Sequence, residues 1–109
     1  MLKNKNLQNS YEIPANELRT IIKQGAMLRL PYLESRFLQA KKNVQNYEKK
    51  YKTDFKKLKL TGLPEDAGYD MHEDFIEWEY WYDVMNDTGQ IVDQINKLLK
   101  EVAEEKSEY

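Results

Sequence analysis

Two long apolar stripes, separated by a short connector rich in helix breakers, leave this chain little choice of fold. Leu30, Leu33, Phe37, Ala40, Val44, Tyr47 and Tyr51 step by three and four residues alternately. That spacing puts all seven on one face of an uninterrupted helix. Further along, Trp78, Met85, Val92 and Leu99 repeat at seven, as do Trp81, Thr88, Ile95 and Val102, and Val84, Ile91 and Leu98. Three adjacent heptad positions make an apolar face wider than a two-stranded coiled coil needs, which predicts contact with more than one neighbouring helix. Residues 60–70 between the stripes contain Gly62, Pro64 and Gly68 and read as a connector. Neither β-branched alternation nor hairpin turn pairs occur, so the expected fold class is all-α.

Local signals refine the boundaries. Pro14 suits the first turn of a helix, where its missing N–H is an orphan anyway. Residues 15–24 follow, with Leu18, Ile21 and Ile22 on one side. Gly25 either ends that helix or bends it, and Pro31 either starts a second helix or kinks a continuous one. The stripe through Tyr51 should stop near Lys52. Thr53 can then cap a short helix over residues 54–59, with Phe55 and Leu58 turned inward. Asp70 with Glu73 three residues on resembles a capping box for a last helix from about Met71 to about Val102. Asn86-Asp87-Thr88-Gly89 weakens its middle, so a kink or brief break is expected there. Residues 1–12 and 104–109 are expected to be flexible ends of a single helical domain spanning residues 1–109.

A connector this short favours antiparallel packing of the two long helices. Aligning their facing ends sets Tyr47 near Phe75, Val44 near Trp78, Ala40 near Trp81 or Tyr82, Phe37 near Met85 and Leu30 near Val92. At about 1.5 Å per residue the last helix spans roughly 48 Å against roughly 33 Å for residues 31–52, which leaves residues 15–30 to cover the excess. Charge supports the direction. Residues 41–59 carry eight lysines against Glu48 and Asp54, and residues 65–83 carry eight carboxylates and no Lys or Arg. Antiparallel packing brings these blocks together, each at the helix end its sign suits. A lone hairpin of this size is marginal, so a helical-bundle homodimer is expected.

Several function classes drop out. Without cysteine there is no disulfide, thiolate metal site or thiol nucleophile. No apolar run reaches the length of a membrane span and no signal-peptide pattern opens the chain, so a cytoplasmic protein without membrane contact is expected. His72, Glu73, Asp74 and Glu77 tempt a metal reading, but Tyr69 stands three residues before His72 where a di-metal helical site needs Glu. Glu101-Val102-Ala103-Glu104 has no matched acidic motif to hold Mg²⁺ with it. No Gly-rich phosphate loop occurs. The expectation is therefore a protein that is not an enzyme, with no catalytic residue, metal or cofactor.

Two binding readings remain. In the first, Phe75, Trp78, Tyr80, Trp81 and Tyr82, with Glu73 and Glu77, bind a partner protein. Trp78 and Trp81 lie on the core side of this segment, and Tyr80 and Tyr82 point elsewhere. Tyr and Trp are common interface anchors. In the alternative, Lys49, Lys50, Lys56 and Lys57 grip a nucleic-acid backbone beside Tyr47, Tyr51 and Phe55. Tyr47 and Tyr51 belong to the apolar stripe, however, and the acidic block offsets the basic field.

Over roughly residues 30–85 the chain resembles small helical antitoxin-like proteins of prokaryotic type II toxin–antitoxin pairs. The resemblance is carried by Tyr47-Glu48-Lys49-Lys50-Tyr51, by Thr53-Asp54-Phe55, and by the acidic aromatic run Glu73-Asp74-Phe75-Ile76-Glu77-Trp78-Glu79. The departure is Lys52, where such sequences often carry a helix-ending Gly. The resemblance brings no catalytic residue. It implies that the chain neutralises a toxin-like partner, such as a ribonuclease, by covering part of its surface.

Overall fold

The first stripe does not begin at Leu30. In the computed structural model, which describes residues 12–107, helix α1 runs unbroken from Ala15 to Tyr51. Pro14 precedes it in extended backbone, and its carbonyl accepts from the Leu18 amide at 2.9 Å. Gly25 neither ends this helix nor does Pro31 start one; both lie inside it. The reason is the stripe itself. Arg19, Ile22, Ala26 and Leu30 are partly buried and extend the pattern backwards at the same spacing. Pro31 removes one backbone hydrogen bond, at a typical cost of about 3 kcal/mol in a helix interior. Pro31 and Met27 are both exposed, so the carbonyl left without a donor is on the solvent side. Burial of a continuous face outweighs the local break.

Lys52 then turns the chain. It adopts the left-handed conformation, φ 57° and ψ 38°, which Gly takes at least cost. Helix α2, Phe55–Thr61, follows. Its N-cap is Asp54, not Thr53: the Asp54 carboxylate accepts from the Lys57 amide at 2.7 Å. Thr53 sits one residue too early to reach the first free amides. Phe55 and Leu58 are buried, as their spacing predicts. Gly62, with φ 80°, ends α2.

Helix α3 runs from Tyr69 to Ser107 without a break. It starts before the expected capping box, so Asp70 lies in its first turn. It also continues beyond residue 104, and the rest of the expected flexible ends falls outside the described residues. The weak segment at 86–89 stays helical for two reasons. Thr88 is buried and its hydroxyl donates to the Val84 carbonyl at 2.7 Å. Gly89 faces the Phe37 ring, where a Cβ would lie only 3.1 Å from Phe37 Cε1. The glycine is a notch for that ring.

The fold is thus all-α, a hairpin of two long helices with α2 at its closed end. With 37 and 39 residues, α1 and α3 match in length at roughly 55–59 Å, because residues 15–30 continue α1 and run beside the part of α3 that residues 31–52 leave uncovered. Val44 shares one buried cluster with Trp78, as end-to-end alignment sets it. Two other pairs differ: Tyr47 stacks on Trp78 at 5.7 Å, and Phe37 lies against Gly89. The Phe55 ring meets Phe75 at 5.2 Å, so the start of α3 packs on α2. Among the described residues, no helix is long and apolar enough to cross a membrane.

Two substitutions test this account. Lys52→Gly relieves the left-handed lysine and should raise unfolding stability by roughly 0.5–1 kcal/mol in urea denaturation. Gly89→Val pushes a branched side chain into the Phe37 ring and should lower it by about 1–3 kcal/mol.

Candidate functional site

Trp78 is the centre of the closed end. It is 0% exposed and meets three rings: Tyr47 at 5.7 Å, Tyr51 at 5.8 Å and Phe55 at 5.4 Å. Val44 and Leu58 complete this buried cluster, and Phe75, Trp81, Tyr82 and Met85 pack around it. The indole N–H finds no acceptor among the described residues, a desolvation cost of about 1–3 kcal/mol that the ring contacts must outweigh.

A polar belt surrounds the rings. The Tyr51 hydroxyl and Lys50 Nζ both donate to Asp74 Oδ2 at 2.6 Å. The Tyr47 hydroxyl donates to Glu77 at 2.9 Å, and Lys59 pairs with Glu79 at 2.9 Å. The lysine and carboxylate blocks therefore meet across the hairpin as antiparallel packing requires. Hydrogen bonds from Lys50 and then Tyr51 hold the Asp74 carboxyl below its ordinary pKa. Burial, reinforced by the bond to Glu77, pushes the Tyr47 phenol up to about 12.

This packing sorts the candidate partner-binding residues. Trp78 is withdrawn, because its whole surface is used inside the hairpin. Phe75 and Tyr82 are half-buried against Phe55, at 5.2 and 5.0 Å, so Tyr82 faces α2 instead of pointing away from the core. Trp81 is half-buried with the Arg36 guanidinium 5.5 Å from its ring centre. Tyr80 is exposed, and its hydroxyl accepts from Arg36 Nη2 at 2.6 Å. Glu73 and Glu77 are exposed. Exposed Ile76 lies between them, so Glu73, Ile76, Glu77 and Tyr80 form an acidic and apolar strip at three- and four-residue spacing.

The lysines sort the same way. Lys50 is tied to Asp74, whereas Lys49, Lys56 and Lys57 are exposed around the Lys52 turn. Of the aromatic residues beside them, Tyr47 and Tyr51 are half-buried and each stacks on Trp78, and Phe55 is buried and tilted against it. Among the described residues no three His, Asp or Glu side chains gather as a metal-holding group, and His72 is exposed.

A second surface lies towards the open end. From the Arg36–Tyr80 hydrogen bond, one row on α1 passes through Tyr32, Leu28, Gly25, Ile21 and Leu18. The facing row on α3 passes through Val84, Ile91 and Leu98. Both rows start at one bonded pair and keep helical spacing, so they lie on the same side of the hairpin. The three-position breadth of the last helix is a sequence signal for the α3 row. The α1 row is not legible until Gly25 and Pro31 are known to lie within one helix. No family model, curated protein or solved structure matches the chain.

The polar belt predicts two pH limits. Asp74 has a lowered pKa, so its contribution is present above the ordinary carboxylate pKa and is lost as pH falls through the lowered value, below about 4. Tyr47 has a raised pKa, so its contribution is complete below about pH 10 and is lost as pH rises towards 12. Urea unfolding across pH should show Asp74→Asn shrinking the acid loss and Tyr47→Phe shrinking the alkaline one.

Proposed function

We propose that this chain is a non-enzymatic interaction protein, antitoxin-like, which neutralises a partner protein by covering part of its surface. One observation carries the reading. Among the described residues thirteen large hydrophobic side chains remain exposed, against six hydrophobic residues that are buried. Scattered exposed leucines are ordinary, but rows of them on a helical hairpin mark a surface for something else.

The strip Glu73, Ile76, Glu77 and Tyr80 is the part that suits a toxin-like partner. Its carboxylates complement a basic surface, such as that of a ribonuclease, and speed the encounter; Ile76 and Tyr80 supply apolar contact. Glu73 and Ile76 make no hydrogen bond or ion pair inside the described chain, so replacing them leaves the hairpin intact. Co-expression with the product of the neighbouring gene should yield a complex stable at micromolar concentration. Glu73→Lys with Ile76→Ala should slow association at least about tenfold at low salt. Recovery of the chain alone would refute the reading.

The exposure of Lys49, Lys56 and Lys57 favours one second reading, nucleic-acid binding by charge alone. It calls for affinity that falls steeply with salt and is removed when these three are replaced by Ala.

A further inference from the structure

We infer that the open half of the hairpin is a self-association surface, on which a second copy of this chain lays the same face in the opposite direction. Every fully buried residue among those described lies between Leu33 and Thr88. Residues 15–32 and 89–104 together hold Leu18, Ile21, Ile22, Leu28, Leu30, Ile91, Val92, Ile95, Leu98 and Leu99, yet none is fully enclosed. Two helical arms whose apolar side chains are at best half-buried gain less from tertiary packing than the closed end, and tertiary packing is where most helical stability in proteins comes from. A further layer on them would complete that core.

Three observations favour a second copy as the occupant. The first is area. Leu18, Ile21, Leu28, Tyr32, Ile91 and Leu98 are 39–84% exposed and present roughly 600 Å², the size of the largest patch an ordinary monomer leaves open. The second is charge. The grooves on the two helices are lined by Gln90, Ile91, Gln94, Ile95 and Leu98, and by Gly25, Leu28, Arg29 and Tyr32. Only one of these nine side chains is charged, so the face repels neither its own image nor selects a charged stranger. The third is placement. The lysine and carboxylate blocks lie at the closed end, so two hairpins overlapped by their open halves keep like charges apart. Such an overlap is isologous, with α1 and α3 of each copy forming four helices around one new core.

This surface continues along α3 from Tyr80, where the acidic strip ends, but its test changes Leu28 and Ile91 and leaves Glu73 and Ile76 in place, so its failure leaves the partner-binding reading standing. Sedimentation equilibrium of the full chain tests it. The wild type should sediment at twice the chain mass at micromolar concentration. Leu28→Glu with Ile91→Glu should weaken self-association at least 100-fold, while circular dichroism still shows a helical chain. Leu60→Glu, an exposed site on α2, should leave the dimer unchanged. A wild-type monomer at 100 µM overturns the inference, as does a dimer that survives the double variant. A monomer whose open half resists hydrogen exchange, with protection lost on removing residues 1–11, would assign the face to that segment and overturn it equally.

Discussion

The hairpin depends on the enclosure of Trp78. The side chain has rings against it from α1 on one side and from α2 on the other, so a single residue holds three helices in one place. Truncating a buried ring of this size typically costs about 3–5 kcal/mol, a large part of what a small domain has in total. The indole N–H left without an acceptor shows that apolar contact, not polar pairing, dominates there. The belt of Tyr51, Lys50 and Asp74, with Tyr47 and Glu77, adds direction and register. Exposed ion pairs such as Lys59–Glu79 contribute only about 0–1 kcal/mol, so they choose among packings more than they stabilise one.

From this cluster the molecule becomes steadily less complete. The closed end has α2 as a third layer and a sealed core. The middle has Leu33, Ala40 and Thr88 enclosed between two helices. The open half has two helices, and among the described residues nothing there is enclosed. Local stability follows buried contact, so the open arms are the part most easily loosened and the part with most to gain from an added surface. The acidic strip, by contrast, stands on the best-packed region. A rigid platform costs little ordering entropy when a partner binds, which suits a surface meant to cover another protein. The two surfaces follow one another along a particle 63 Å long and meet at Tyr80.

Much of this was legible in the chain. The stripe from Leu30 to Tyr51, the stop at Lys52, the inward Phe55 and Leu58, and the antiparallel meeting of lysines with carboxylates all follow from periodicity and charge. Helix propensity leaves Gly25 and Pro31 open between a break and a continuous helix and marks 86–89 as weak; it is worth up to about 3 kcal/mol at a site, and faces that pack over many residues decide the outcome. Gly89 shows this best: in sequence it is a weak point, and against the Phe37 ring it is a fit. The candidate site was legible in part. Its composition marked the segment 73–82, but which of its rings face inward depended on where α2 came to rest.

What the sequence determined by itself is therefore the class and direction of the fold, because apolar period and charge order are properties of the chain read one residue after another. What only the tertiary structure decided is the register and the division of surfaces. Phe55 of α2 packs on Phe75, Trp78 and Tyr82 of α3, which helps enclose Trp78 and turns Tyr82 towards α2, while Ile76 and Tyr80 stay outside. A side chain contributed by a third element fixes that choice, and no spacing within the two stripes encodes it.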